Sequence, residues 1–280
     1  MVSNKRIKMK KIGIALSVYN KIDELNTNIN IIRSHWKDEN DSFISVCCND
    51  PSSFERVKSL DIDKFTAGDH SIQNTPKPYR RLRIFDCIMT SILNCSSEFI
   101  VHYHSDAYAT KVEPILEIID FMNKNNIHVA FRGRGLEYRT EKCIHGDVDD
   151  HFIIFRKSEI DKRNIFNIDN IVDYFKVGNP ESLLSFIIQS NFKENEIYFY
   201  DDMRYNKVNH ESLPSDEFYQ DNIMHRAMNP YNLDLARGFY HIGDSSLVQD
   251  ILTNADIPDN IICKQAKDIK QQHVEDWLNE

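Results

Sequence analysis

Three short apolar segments, each followed by polar residues, limit most strongly what this chain can fold into. They are Lys11–Val18 (KIGIALSV), Phe43–Cys48 (FISVCC) and Phe99–Tyr103 (FIVHY). Their length and their β-branched and aromatic content are typical of buried strands in a parallel sheet. Apolar residues at helical spacing lie between the first two segments: Ile22, Leu25, Ile29, Ile32 and Trp36. This strand–helix–strand order predicts an α/β fold with a mostly parallel sheet flanked by helices.

The same reading extends along the chain. Helical spacing of apolar residues predicts helices on both sides of the third strand, around residues 82–92 and 112–122. Further strands are predicted at 127–131, 151–156 and 196–200, and helices at 181–190 and 259–280. Residues 132–150, which carry three glycines and many charges, are predicted to form a loop over a site. Asn20 is expected to cap the first helix.

The composition excludes several classes of protein. A net charge of −9 argues against a general nucleic-acid binder, which needs a basic surface. The six cysteines form no CxxC pair, which is typical of reduced thiols in a cytoplasmic protein. No segment approaches the roughly 20 apolar residues of a membrane span, although the basic start of the chain (MVSNKRIKMKK) leaves peripheral contact with an anionic membrane surface open. No repeat divides the chain, so we expect a single domain over residues 1–280.

Polar side chains follow all three predicted strands. Ser17 and Tyr19-Asn20 end the first, Asn49-Asp50 the second and His104-Ser105-Asp106 the third. In open parallel sheets, ligands bind outside the carboxyl ends of the strands. Carboxylates, hydroxyls and an imidazole at one edge suit a nucleotide with a divalent cation, because carboxylate and diphosphate oxygens ligate the hard ion.

This order of motifs resembles the nucleotide-binding half of GT-A glycosyltransferases, which have a Rossmann-like fold. Tyr19-Asn20 correspond to the Val-Tyr-Asn end of that family's first strand, and Asn49-Asp50 to its pair of nucleoside-binding acids. His104-Ser105-Asp106 stand where the family has Asp-x-Asp, with histidine replacing the first aspartate. The resemblance implies a nucleotide-sugar-binding half over 11–131, an acceptor-binding half over 132–258 and a C-terminal helix.

The resemblance also implies roles for individual residues. The donor-binding residues are Ser17, Tyr19, Asp50, Arg83, His104, Ser105 and Asp106. Asp106 and His241 are the expected ligands of Mn²⁺ or Mg²⁺. Glu181, at a helix start, is the first candidate for the catalytic base, and Asp150 is the second. Each has an ordinary structural alternative, since a glutamate in a first helical turn is favoured by the helix dipole and an acidic run by solvation.

The activity implied is a metal-dependent transfer of a sugar from a nucleotide-diphosphate donor to a hydroxyl of a glycan or glycolipid. A carboxylate base makes the reaction inverting, whereas a retaining mechanism stays open without one. Cytoplasmic synthesis of a surface polysaccharide is the expected setting. The alternative is a nucleotide- or glycan-binding module that has this fold but no catalytic activity. The histidine at position 104, which replaces the first aspartate of the motif, is the reason to consider it. A nucleotidylyltransferase is disfavoured, because no glycine follows the first strand.

Overall fold

A seven-stranded sheet covered by helices on both faces forms the framework of the computed structural model. The structure describes residues 10–36, 42–68, 80–134, 147–166, 180–202, 233–234, 239–241, 245–254 and 265. Its strands are β1 (Lys10–Val18), β2 (Phe43–Cys48), β3 (Lys64–Ala67), β4 (Ser97–His104), β5 (Ala107–Ala109), β6 (Val129–Arg134), β7 (Asp147–Arg156), β8 (Ile197–Asp202), β9 (Leu233–Asp234) and β10 (Phe239–His241).

The helices alternate with these strands over most of the chain. They are α1 (Ile22–His35), α2 (Phe54–Lys58), α3 (Arg80–Leu93), α4 (Glu113–Lys124), α5 (Lys157–Arg163), α6 (Pro180–Asn191) and α7 (Ser246–Thr253). Short 3₁₀ turns precede α2, at Pro51–Ser53, and β8, at Glu194–Glu196. Within the described ranges, no helix is long and apolar enough to cross a membrane.

The large sheet has the strand order β3-β2-β1-β4-β7-β6-β8. Strands β1 to β4 are parallel, β7 runs antiparallel to both of its neighbours, and β6 and β8 are parallel. The predicted mixed, mostly parallel sheet is therefore confirmed. A smaller antiparallel sheet has the order β5-β10-β9. Its first strand, β5, begins three residues after the end of β4.

Both faces of the large sheet are buried, as the continuous apolar strands predict. Ile12, Ile14 and Leu16 of β1 pack in one cluster with apolar residues of α1 and α4. Ala15 packs in the other, with α3 and α6. Gly13 lies where the sheet approaches the end of α3, since an added Cβ would meet Cys95 Sγ and lie 2.8 Å from Ser97 Cβ. Only glycine fits that position without movement of its neighbours.

The structure corrects two of the sequence predictions. Residues 132–150 are not all loop, because β6 continues to Arg134 and β7 begins at Asp147, with a register shift after Phe131 that the sequence does not signal. Asn20 does not cap α1; the N-cap is Lys21, and no side chain caps the helix. Strands β3 and β5 and helix α7 were not predicted. The predicted C-terminal helix at 259–280 lies outside the described residues, apart from position 265.

Candidate functional site

A cleft of about 440 Å³ opens at the carboxyl ends of β1, β2 and β4, with the first turns of α3 as one wall. This is the edge at which the polar strand ends were expected to meet. The cleft is lined by six of the seven predicted donor-binding residues: Ser17, Tyr19, Arg83, His104, Ser105 and Asp106. Residues up to 89 positions apart in sequence, from Ser17 to Asp106, therefore contribute to one surface.

The parallel register explains why these segments meet. Ser17 pairs with His104 across β1 and β4, and the Ser105 N–H donates to the Ser17 carbonyl at 3.3 Å. On the other side of β1, the Asn49 N–H donates to the Val18 carbonyl at 3.3 Å. The chain thus leaves all three strands at the same level of the sheet, and the residues that follow each strand face a common space.

Asp106 lies in a turn that helix α1 holds from below. The fully buried Asn28 donates from Nδ2 to the carbonyls of Ser105 (2.6 Å) and Ala107 (2.8 Å), the residues on either side of Asp106. Trp36 donates from Nε1 to the Ala109 carbonyl at 2.9 Å. These bonds fix the backbone on which the carboxylate stands. Sequence reasoning missed Asn28, and it predicted Trp36 only as part of the apolar face of α1. The available signal was a polar residue at position 28 within the apolar stripe of α1.

The Asp106 carboxylate carries a cationic partner from the end of β1. Lys21 Nζ lies 2.6 Å from Asp106 Oδ2, and both side chains line the cleft. The side chain of Asp106 is 14% exposed and that of Lys21 42% exposed, so the pair lies at the boundary between protein and solvent. Lys21 was not among the predicted site residues.

His104 packs against a second histidine behind it. The two rings are edge-on, with 5.8 Å between the centroids of His104 and His102. His102 is fully buried, and its Nδ1 lies 2.9 Å from the Ala15 carbonyl. Because a carbonyl only accepts, Nδ1 carries the proton. The strand behind the cleft thus gives His104 a fixed aromatic support.

Asn49 joins the second strand to the wall of the cleft. Its Nδ2 donates to the Arg83 carbonyl at 2.9 Å, which ties the end of β2 to the first turn of α3. Cys87, one turn further along α3, donates from Sγ to the Cys47 carbonyl, and burial raises the pKa of this thiol well above its usual range. A thiol that resists ionisation packs as a small apolar group, so Cys87 forms part of the cleft wall and is a poor nucleophile.

Part of the mouth of the cleft is apolar. Four large hydrophobic side chains are exposed among the residues that the structure describes, and two of them, Tyr19 (53%) and Ile84 (43%), line this cleft. An aromatic ring and an aliphatic side chain at the rim offer a surface on which a planar base can stack.

Asp50 lies beside the cleft and is not among the residues that line it. Its carboxylate accepts hydrogen bonds from the Ser52 N–H and from the hydroxyls of Ser52 and Ser53, and so caps the 3₁₀ turn. Burial alone would raise the pKa of this carboxyl, but the bonds from Ser53 and Ser52 lower it below the ordinary value. Asp50 is therefore a charged acceptor already engaged by its own turn.

The two candidate bases lie near the neighbouring strand β7. Asp150 belongs to the first part of β7, and because β7 is antiparallel to β4, this part lies toward the carboxyl end of β4. Glu181 is in the first turn of α6, as predicted, and does not line the cleft. The Ser185 hydroxyl, about one helical turn beyond Glu181, accepts a hydrogen bond from the Val148 N–H and so joins α6 to this end of β7.

His241, the second predicted metal ligand, is brought close to Asp106 by backbone pairing. It lies in β10 directly opposite Ala107 of β5. Ala107 is the residue after Asp106, and directly opposed residues of an antiparallel pair have Cα atoms about 4.5–5.5 Å apart. The side chains of His241 and Asp150 lie outside the described part of the structure, so the pairing places only their backbones.

The chain is similar to several solved structures, among them an active-site mutant of LgtC. It aligns with 93% of this chain and 95% of its own, at 12% identity and a TM-score of 0.50. TarS 1-349 from S. aureus covers 78% of this chain and 71% of its own (14% identity, TM-score 0.42). The mannosyltransferase PcManGT from Pyrobaculum calidifontis, in complex with GDP-Man and Mn²⁺, covers 78% and 69% (9% identity, TM-score 0.45).

The likeness to LgtC confirms the expected GT-A fold. At 12% identity it concerns the fold alone. No protein-family model and no curated protein matches the sequence.

Proposed function

We propose that this protein is a glycosyltransferase that binds a nucleotide-diphosphate sugar in the cleft at the ends of β1, β2 and β4. The observation that carries the proposal is the convergence of six predicted donor-binding residues on one cleft at that edge. The GT-A fold shared with LgtC supports it.

The cleft offers different chemistry to the two ends of such a donor. The base would stack at the apolar rim formed by Tyr19 and Ile84, and Asp50 remains the predicted hydrogen-bond partner for it, with Arg83 on the same wall. The diphosphate would lie toward Ser105 and Asp106. A diphosphate placed beside an aspartate is repelled unless a cation lies between them, so this end of the cleft requires positive charge.

Mn²⁺ or Mg²⁺ at Asp106 and His241 is the predicted source of that charge. The donor set fits such an ion in its chemistry, because carboxylate oxygen and imidazole nitrogen together suit Mn²⁺ and the pairing of β10 with β5 brings His241 opposite Ala107. Lys21 occupies one carboxylate oxygen, Asp106 Oδ2, so an ion that binds that oxygen would displace it. When bound, the ion would supply positive charge for the departing diphosphate.

The chain's own carboxylates would carry the proton chemistry. The acceptor oxygen attacks the anomeric carbon, the bond from that carbon to the diphosphate oxygen breaks with its electron pair, and the acceptor proton passes to Glu181 or Asp150. Asp150 belongs to the part of β7 that lies toward the end of β4, and α6, which carries Glu181, is bonded to that part of β7 through Ser185. Attack from the face opposite the leaving group inverts the anomeric centre. A glycan or glycolipid acceptor, a role in surface polysaccharide synthesis and a cytoplasmic location extend the proposal.

The test is thermal stability of the protein with UDP-, GDP-, TDP- and CMP-sugars, each with and without Mn²⁺. A ligand that binds only the folded state raises the melting temperature by mass action. We expect one base to give a shift that Mn²⁺ enlarges and that Asp106→Asn removes. The matched control is Asp250→Asn, which changes an exposed aspartate of α7 and should leave the shift unchanged.

The outcomes separate the two candidate functions. Release of nucleoside diphosphate from the stabilising donor, detected with water as a slow acceptor, supports the transferase. Binding without any release favours a binding module, and the histidine at position 104 is the observation that favours this second candidate. A well-folded protein that no nucleotide stabilises would overturn both.

A further inference from the structure

We propose that Lys21 is a phosphate-binding residue of the cleft, which Asp106 holds in place in the free protein and which the diphosphate of the donor takes over on binding. The inference rests on the proposed function and adds a ligand that neither the motifs nor the predicted metal site contains. It also makes Lys21 a competitor of the metal ion for Asp106.

The position of Lys21 follows from the way β1 ends. The residue comes three positions after the strand and immediately before α1, whose first residue is Ile22. Its Nζ reaches across the cleft to Asp106 Oδ2 at 2.6 Å, although the two residues are 85 apart in sequence. The charged end of Lys21 is therefore already beside Asp106, at the end of the cleft where the diphosphate would lie.

The pair is suited to an exchange of partners. Ion pairs that are partly exposed to solvent contribute little to stability, because water and side-chain entropy offset the Coulomb attraction. Lys21 is 42% exposed, so it can leave Asp106 at small cost. A diphosphate carries more negative charge than one carboxylate and offers several acceptor oxygens, so it attracts the ammonium more strongly.

Lys21 and a divalent ion would then compete for Asp106 in the free protein. Each satisfies the carboxylate, and two cations on the same oxygen repel each other. Once the diphosphate is present, both cations gain a partner and the competition ends. Removal of the Lys21 charge should therefore weaken binding of the nucleoside diphosphate and strengthen binding of Mn²⁺ to the protein alone.

The test is calorimetric titration of wild type, Lys21→Met and Lys21→Arg with UDP and GDP, with their nucleosides, and with MnCl₂ alone. Loss of one charge-assisted contact raises the Kd of the preferred diphosphate in Lys21→Met by about 10- to 100-fold. We expect the Kd of the matching nucleoside to stay within about twofold, because the base end of the cleft is unchanged. Lys21→Arg keeps the charge and should retain most of the diphosphate affinity.

Mn²⁺ alone should bind Lys21→Met more tightly than wild type, a result that loss of local packing does not produce. The control is Lys124→Met, an exposed lysine at the end of α4 that does not line the cleft. Equal losses for diphosphate and nucleoside, or no loss for either, would overturn the role of Lys21 while leaving the proposed function intact. A wild-type protein that binds no nucleoside diphosphate, with TDP titrated beside UDP and GDP, would instead remove the proposed function, and the inference with it.

Discussion

The turn that holds Asp106 should depend on Asn28. The change Asn28→Ala removes the two hydrogen bonds to the carbonyls of Ser105 and Ala107 and leaves these acceptors in a buried environment. A buried acceptor that loses its donor costs about 1 to 3 kcal/mol. Because a carbonyl has a second lone pair, we take the lower half of that range for each, which gives about 2 to 4 kcal/mol for the two.

Two smaller terms oppose this loss. Alanine is a better helix former than asparagine by roughly 0.5 kcal/mol, and the substitution also removes Asn28 Oδ1, a buried atom without a hydrogen-bond partner among the described residues. The expected loss in the free energy of unfolding is therefore about 1.5 to 3.5 kcal/mol. Asn30→Ala, at an exposed position of the same helix, gains the propensity without losing the bonds and should be neutral or slightly stabilising.

Urea unfolding with linear extrapolation measures this difference. The second readout is the affinity for the preferred nucleotide under conditions in which both variants are folded. We expect Asn28→Ala to bind more weakly, since Asp106 no longer stands on a fixed turn, and Asn30→Ala to match wild type. Equal unfolding free energies for the two variants would refute the energetic argument. A destabilised Asn28→Ala that binds nucleotide normally would refute the link between the turn and the site.

Two further predictions concern the framework. Gly13→Ala should lower the free energy of unfolding by at least about 1 to 3 kcal/mol through overpacking, because the new Cβ meets Cys95 Sγ and Ser97 Cβ. In urea unfolding, adding Cys95→Ala should recover part of that loss. Strict additivity of the two changes would contradict the contact. Glu196 accepts a bidentate pair of hydrogen bonds from Arg163, at 2.8 and 3.0 Å, and these lower its pKa from 4.5 to about 2. Since the pKa of Glu196 is lower in the folded protein than in the unfolded chain, its pairing with Arg163 stabilises the folded protein above about pH 5. This contribution is lost as the pH falls toward 2. Glu196→Gln should thus lower the free energy of unfolding at neutral pH and make its decline in acid less steep. Glu117→Gln, at an exposed position of α4, should follow wild type. A dependence of stability on pH that Glu196→Gln leaves unchanged would show that the pair contributes nothing.

The sequence could reveal the cleft because its main determinants are local. An apolar run followed by a polar group predicts a strand and the polar residues at its carboxyl end. In a parallel sheet the carboxyl ends of the strands lie at the same edge. Ser17, Tyr19 and the His104–Asp106 segment were found in this way. These residues meet because β1 lies between β2 and β4 in the same sheet.

What the sequence could not reveal depends on contacts between distant segments. The ion pair of Lys21 with Asp106 crosses 85 residues, and a lysine at a helix start has no pattern that distinguishes it from a surface residue. Strand β5 has three residues and pairs with β10, more than 130 positions later, so neither shows a periodicity of its own. The engagement of Asp50 by Ser52 and Ser53 is local and could have been foreseen, since aspartate before Pro-Ser-Ser is a common capping arrangement.

The strand order also orients the proposed donor. The apolar rim and the Asn49–Arg83 contact lie on the β2 and α3 side of β1, whereas Asp106 and Lys21 lie on the β4 side. A donor with its base at the rim and its diphosphate at Asp106 therefore extends from β2 across β1 toward β4. The next strand in that direction is β7, whose first residues include Asp150 and whose Val148 is bonded to α6 below Glu181. The sugar would thus extend toward the strand that carries Asp150 and the helix that carries Glu181, the two residues predicted as bases. A transferase would use these carboxylates as bases, whereas in a module that only binds the nucleotide they have the ordinary roles of a first-turn glutamate and a solvated acidic run.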